Sequence, residues 1–581
     1  MNKALRLFLV LMIALASLTA PALAVSPDDL NALAAYFPSK APLLISFRTD
    51  PAYVETFDSL IARINAAIPT ADVPALSVGL DMAIGNIIPD ASFEEDVRPW
   101  LGDVGSLGVI SFPETTSTTL PSDEQPLSVI ALSVTDREAA ETFWETALAA
   151  ADFKTETDGD YTVYEPREPE MMDTPFYIAV GDDVMFFANT RDTLPLSVNG
   201  AGSLGATEAF GDALALLPES DYNITFYVDI APVLENAIND PMTAASLGAF
   251  TALLQSYPSI AGGATILDER SFVIDIAVPV QEIIDEAADL GLNLEPNAPL
   301  DPAFLERVPS GTPFVIHGSD LQRSYEQLIA QLRLQAENGA PGATPTEDLE
   351  DQLDQFALGF NLLTGVDFED ELLPALTGDY VLYMGLNPAL ADADGFRAIS
   401  EILPVEFGAV FSVEDEAVLQ ELFESLSERL PELAEQGSND FTTITVETEE
   451  IAGVEALVIN IDDENTGFPV ELVLAADDEV LFLGTRASAQ ASLSPDGSLL
   501  DDPGYADALL YQVDEPRQWL YMASAGLEPL LNVFEVQGGS IMGQRDAENF
   551  AGFLSLLSSA TISTGYEDGV QYSRLVWTLP E

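Results

Sequence analysis

The sequence predicts an α+β protein of two homologous domains, each mainly antiparallel sheet covered by helices on one face. Two observations carry that expectation. The first is a duplication: Phe93-Glu-Glu-Asp-Val-Arg-Pro-Trp-Leu-Gly-Asp103 returns as Phe368-Glu-Asp-Glu-Leu-Leu-Pro-Ala-Leu-Thr-Gly-Asp379. Phe93 and Phe368, Pro99 and Pro374, and Leu101 and Leu376 share one constant offset, and the inserted Thr377 brings Gly102-Asp103 onto Gly378-Asp379. The second is the pattern order. In both halves short apolar runs of strand type alternate with acid-capped amphipathic helical stretches, as an antiparallel sheet with helices layered on it requires. The repeat is the size of a domain, too long for a solenoid array.

Residues 1–24 read as a secretory signal peptide. Lys3 and Arg6 make a basic start, Leu7 to Leu18 an apolar middle, and Ala22-Leu23-Ala24 a small-x-small cleavage site. The expected product is a secreted or otherwise extracytoplasmic chain from Val25; left uncleaved, the segment would anchor it N-terminally to a membrane. The first repeat domain is assigned to 25–293, a proline-rich linker to 294–302 and the second repeat domain to 303–581.

The first domain opens with a turn and an apolar run, Phe37 to Phe47. Asp50 then suits an N-cap and Pro51 a first helical position, with Val54, Phe57, Ile61 and Ile64 on one face. The second opens alike at Val308 to Ile316, and Tyr325, Leu328 and Leu332 repeat the apolar stripe. Gly79 to Gly85 matches Gly359 to Gly365, after which comes the duplicated phrase. Its acids complement a helix dipole, Pro99 stops the helix, and Gly102-Asp103 turns the chain into a strand.

Next come a strand at Leu127 to Val134 and a helix carrying Ala140, Phe143, Trp144 and Leu148. Their counterparts are Gly408 to Val413 and a helix with Leu419, Leu422, Phe423 and Leu426. Paired strands are expected around Asp158-Gly159-Asp160 and around Asn439-Asp440. Val184 to Arg191 matches Val480 to Arg486, Phe210 to Leu214 matches Tyr505 to Leu509, and Ile224 to Asp229 matches Trp519 to Ala523. Each half closes on two strands, Ala264 to Val278 and Thr561 to Leu579.

Composition limits the chemistry. The chain carries 97 acidic and 20 basic residues, a net charge of −77, yet 48% of it is hydrophobic and 9% aromatic. That is enough apolar material for packed cores beneath an acidic, cation-attracting surface. Such a surface disfavours nucleic acid and anionic membrane as partners. With no Cys and one His, disulfides, thiol catalysis and zinc sites of the usual His/Cys type are excluded, and a catalytic triad would have to use His317. His317 sits at a strand end and reads as structural.

Clustered carboxylates make Ca2+ the cation to consider, and the weak ligand candidates are Asp392, Asp394, Asp462 and Asp463, with Asp158-Gly-Asp160 a further acidic turn. None completes a calcium-loop pattern, and no cofactor is identified. Glu94/Asp96 and Glu369/Glu371 read as helix-start acids. Thr190-Arg191 and Thr485-Arg486 recur at the end of one hairpin, and Arg is scarce, so a structural ion pair is expected at each. Asn223-Ile-Thr225 has the form of a glycosylation sequon but falls in a predicted strand.

The phrase Phe-acid-x-acid-apolar-x-Pro-Trp-Leu-Gly, together with Pro-Ser-x-x-Pro before an apolar strand, resembles the uncharacterised bacterial family called domain of unknown function 3352. The resemblance implies an extracytoplasmic bacterial protein and no assigned activity. The second copy departs from the phrase at Ala375, in place of Trp100. The structural motif is accordingly read as Phe93, Pro99, Trp100 and Gly102, repeated as Phe368, Pro374 and Gly378. The functional expectation is a non-enzymatic binding or structural protein at the cell envelope. Its partner is expected to be another envelope protein or an apolar ligand. The alternatives are a carrier holding an apolar ligand in a sheet-helix cavity, and a carboxylate-dependent hydrolase.

Overall fold

The structure is a computed structural model. It describes residues 26–580 apart from 68–72, 88–90, 113–125, 150–151, 170–174, 199, 239–258, 267–269, 290–291, 338–345, 387–404, 439–441, 464–469, 478, 495–496, 525–526, 528–551 and 553. The expected signal peptide therefore lies outside the described residues. The chain is α+β, with extensive antiparallel sheet and helices, and its contacts divide it into two compact units. Apart from the stretch 67–70, the first runs to Glu286 and adds Asp568–Tyr572; the second holds Ala287–Glu567 and Ser573–Glu581.

The first unit contains β1 (Leu43–Arg48), β2 (Leu101–Ser111), β3 (Leu127–Val134), β4 (Phe153–Asp158), β5 (Tyr161–Pro166), β6 (Tyr177–Val180), β7 (Val184–Ala188), β8 (Ile224–Asp229), β9 (Ser259–Ile266) and β10 (Ser271–Pro279). Antiparallel pairing orders them β4-β5-β6-β7-β3-β2-β1-β8-β9-β10. The second contains β11 (Phe314–Ser319), β12 (Asp379–Leu386), β13 (Val405–Ser412), β14 (Thr442–Ile451), β15 (Val454–Asp463), β16 (Val470–Ala476), β17 (Val480–Thr485), β18 (Gln518–Ala523) and β19 (Ser559–Glu567). Their order, β14-β15-β16-β17-β13-β12-β11-β18-β19, follows that of the first nine strands of the first unit, β4 to β9.

Helices cover both faces of part of each sheet, which corrects the expected single covered face. Along β6 and β7 the residues alternate between two cores. Ala179, Val184, Phe186 and Ala188 pack with Leu30, Phe37 and Phe210 on one side, and Ile178, Val180 and Met185 pack with Trp100, Phe143 and Trp144 on the other. The alternation is that of any strand, with period two. The cause is that both sets of side chains are apolar, so neither face can be left to water. In the second unit Val410, Val458 and Phe482 face one core, and Leu457 and Leu481 the other.

The helices used below are α1 (Pro51–Ala67), α2 (Leu76–Ile87), α3 (Arg137–Leu148), α4 (Glu208–Ala215), α5 (Leu321–Glu337), α6 (Thr346–Thr364), α7 (Glu416–Gly437), α8 (Arg486–Leu493) and α9 (Pro503–Leu509). Helix α1 begins as its sequence predicts: Asp50 Oδ1 accepts the Tyr53 N–H at 3.1 Å, and Val54, Phe57 and Ile61 are buried. On α5 the expected stripe is out of phase. Ile329 is buried, while Leu328 and Leu332 are exposed. Asn439 and Asp440, around which paired strands were expected, lie outside the described residues. The β14–β15 turn is Ala452-Gly453, both at positive φ, a conformation usually signalled by Asn or Asp where this chain has Ala. The proline-rich stretch 294–302 is tied into the second unit. Asn297 donates to the Ser319 carbonyl, and the Leu300 N–H donates to Pro516 O, both at 2.8 Å.

Tyr383 is one of the buried tyrosines expected to make the second unit alkali-sensitive. The Tyr383 hydroxyl, on β12, bonds the Ser488 carbonyl at 3.2 Å and Ser492 Oγ at 2.5 Å on α8, and burial pushes its pKa up to about 12. The neutral form is favoured by folding, so its contribution is intact below the ordinary tyrosine pKa of 10.0 and is lost as pH rises from there to about 12. The differential is about 2–3 kcal/mol. Tyr383→Phe is expected to cost about 1–2 kcal/mol at neutral pH through the lost hydrogen bonds and to flatten part of the alkaline limb. Denaturation midpoints across that range check this; an unchanged alkaline slope would reject it.

Candidate functional site: a groove over the duplicated corner

Each copy of the duplicated phrase folds as one π-helical turn leading into a strand. In the first the Arg98 N–H reaches back five residues to Phe93 O at 2.8 Å, and in the second the Leu372 N–H reaches Asp367 O at 2.9 Å. An acid four residues ahead closes each turn. Asp96 Oδ2 accepts the Ser92 N–H at 2.8 Å, and Glu371 Oε2 the Asp367 N–H at 2.7 Å. π turns of this kind are rare and recur at functional sites. The sequence reading expected an ordinary helix start there, because carboxylates in a first turn look the same in either geometry.

Past the turn the two corners share further bonds. Trp100 O accepts the Thr135 N–H and Ala375 O the Glu414 N–H, both at 2.8 Å. Gly102 and Gly378 let the neighbouring strand approach: a Cβ on Gly102 would lie 2.8 Å from Ser133 Cβ, and one on Gly378 2.7 Å from Ser412 Cβ. Phe93 is buried beneath the Arg98 guanidinium, which sits 5.0 Å from its ring centroid. Phe368 instead joins Tyr325, Phe356 and Phe360 in an aromatic cluster. Pro374 lies in the short helical turn Leu373–Ala375.

In the first unit this corner floors a groove of about 500 Å³, lined by Ala91, Glu95, Asp96, Pro99, Trp100, Asp136, Glu138, Ala139, Thr142, Phe143 and Thr146. Trp100 is 2% exposed; its indole donates to Asp96 O at 2.8 Å, and its ring lies 5.6 Å from Phe143. Asp136 caps α3 by accepting the Ala139 N–H. The floor is therefore apolar, and among the described residues four carboxylates, with no Lys, Arg or His, line the rim. Burial pushes the nearby Arg98 guanidinium below its ordinary value, against the pull of Glu94, Asp103 and Asp50. In the second unit a smaller groove, about 360 Å³, lies along α7; Glu416, Glu424, Glu455 and Asp477 line it beside Leu419 and Phe423, again with no basic residue among the described ones. Sequence reasoning missed Asp136 and Glu138 as groove residues, since they lie far along the chain from the phrase they face.

The remaining candidates fall elsewhere. His317, on β11, is buried with Nε2 2.8 Å from Asp379 Oδ2, and the same oxygen accepts the Asp301 N–H at 2.7 Å. Asp379 belongs to the second copy of the phrase, so the pair ties that corner to the start of the second unit. Arg191 pairs with Asp158 on β4 at 2.5 Å and Glu165 on β5 at 3.5 Å; Arg486 pairs with Glu449 on β14 and Glu471 on β16, both at 2.9 Å. Hydrogen bonding from Arg486 holds the Glu449 carboxyl below its usual value. Asn223 is buried, and its Oδ1 accepts the Ile266 N–H.

Asp392 and Asp394 lie outside the described residues. Asp462 is exposed on β15 opposite Thr443, with Asp463 opposite Thr442. Among the described residues no group of three or more His, Cys, Asp or Glu is placed to hold a metal ion, and no helix is long and apolar enough to cross a membrane.

Fold and groove define an α+β protein of two sheet-based units, with acid-rimmed clefts and a repeated π-turn corner. The chain belongs to the family described as "Protein of unknown function (DUF3352)", whose model matches residues 3–522. No curated protein matches it. A solved structure titled "Structure of crystal form I of TP0453" is similar at 10% identity over 42% of this chain and 77% of that one, with a TM-score of 0.21.

Proposed function

We propose that the chain is an exported, extracytoplasmic binding protein made of two copies of one α+β domain, and that the groove over the first corner takes a cationic ligand with an apolar part. The groove carries this reading. Its volume suits a small ligand, Trp100, Pro99 and Phe143 offer an apolar and aromatic floor, and Glu95, Asp96, Asp136 and Glu138 attract positive charge. The common strand order, the two π turns and the matched backbone bonds support the duplication. A further match is the bond from Leu204 N–H to Phe37 O, which recurs as Leu499 N–H to Val308 O. Export is supported by the pattern of residues 1–24. Large buried rings, among them Phe37, Phe186 and Tyr222 in the first unit and Tyr505, Trp519 and Tyr521 in the second, fill the cores beside the sheet. That packing favours binding at the surface over carriage inside.

Calorimetric titration with an arylalkyl amine, against the matching arylalkyl carboxylate, tests the reading. The amine is expected to bind and the carboxylate not. Glu95→Gln with Glu138→Gln is expected to weaken the amine about tenfold with an unchanged Tm, since both side chains are on the rim. Equal affinity of the double variant would reject the groove as the site.

A further inference from the structure

The hairpins α1–α2 and α5–α6 precede the corner in each unit, and their second helices leave large apolar side chains in water at matched positions. Gly79 of the first copy corresponds to Gly359 of the second, which places Val78 on Leu358 and Met82 on Leu362. All four are exposed, at 48%, 61%, 60% and 65% respectively. Leu328 on the neighbouring α5 is also exposed, at 53%. Single exposed apolar residues are ordinary, but an apolar pair four residues apart, repeated in two otherwise diverged copies, marks an interaction face.

Charge decides what fits it. Gln355 to Thr364, which carries the patch on α6, contains no charged residue, although the chain as a whole is at −77. Around it Glu326, Asp351 and Asp354 are exposed, while Arg323 and Arg333 are engaged by Asp320 and Glu350. In the first unit Asp81, next to Met82 in the chain, is exposed. An apolar stripe with an acidic border complements a helix whose apolar face is edged with lysine or arginine, with anchors spaced at i and i+4. A second copy of this chain and an anionic bilayer carry the wrong charge for it.

We propose that these two hairpin faces dock amphipathic, cationic helices of a partner protein. The residues involved are not those lining the groove, so this inference stands apart from the ligand proposed there. The test uses the purified full chain and a fluorescent Leu/Lys amphipathic helix, with a Ser/Lys peptide of equal charge as control. Leu358→Gln with Leu362→Gln, and Val78→Gln with Met82→Gln, change exposed positions and are expected to leave Tm unchanged. Each pair is expected to weaken the Leu/Lys peptide several-fold and the two together at least about tenfold, with the Ser/Lys peptide bound weakly and equally by all forms. Equal binding of the two peptides, or no effect of the four substitutions, would overturn the proposal. So would finding that the substitutions abolish self-association, or partition into phosphatidylcholine vesicles, instead of peptide binding.

Discussion

Trp100→Ala is expected to destabilise the first unit by about 3–5 kcal/mol, the usual cost of deleting a large buried ring. Trp100 is 2% exposed, packs at a tilt against Phe143, and sits in one cluster with Trp144, Leu101 and Val134. Its indole N–H also satisfies Asp96 O inside the π turn, so truncation opens a cavity and frees a carbonyl at once. The second unit has Ala375 at the matched position and keeps its corner by other means: Phe368 packs with Tyr325, Phe356 and Phe360, placing aromatic volume before the turn instead of after it. The loss is therefore expected in one unfolding transition only. Denaturant unfolding followed by two probes, one per unit, checks this, and a shared shift would mean that the units unfold as one cooperative body. Trp100→Phe, which keeps most of the ring but not the N–H, is expected to lose less.

Much of this architecture was legible in the sequence because strands and caps have local signatures. Leu127 to Val134 is a strand with the bounds its pattern predicts, and Ala140, Phe143, Trp144 and Leu148 are the buried face of α3. The ion pairs of Arg191 and Arg486 were legible from scarcity, since a repeated Arg in so acidic a chain has carboxylates within reach wherever it lies. What was not legible depends on contacts distant in sequence. The second covered face needed the knowledge that Ile178 and Ala179 meet different helices. The exposure of Leu328 follows from which side of α5 meets α6 and the corner turn, a choice that a helix with apolar residues at Tyr325, Leu328, Ile329 and Leu332 leaves open. The groove needed α3 folded back over the phrase. The π turn has no sequence signature distinct from a helix, and Ala452 gave no sign of its positive φ.

The glycine of the corner separates a structural from a recognition role for the phrase. Gly102→Ala would put a Cβ 2.4 Å from Ser133 Oγ, and Gly378→Ala one 2.6 Å from Ser412 Oγ, distances that force the neighbouring strand to move. Ser133 cannot simply turn away, because its hydroxyl accepts the Val104 N–H at 3.1 Å and donates to Val104 O at 2.8 Å. Overpacking of this kind costs about 1–3 kcal/mol. Each substitution is expected to destabilise its own unit by that amount, read as a lowered Tm, and Ser133→Gly is expected to recover part of the loss from Gly102→Ala, a non-additivity that marks direct contact. If stability is unchanged while ligand binding falls, the glycine serves recognition directly. If both units lose stability alike, the phrase is the corner on which each sheet is built. The groove is then a use that the first unit makes of that corner, through Trp100, Asp136 and Glu138.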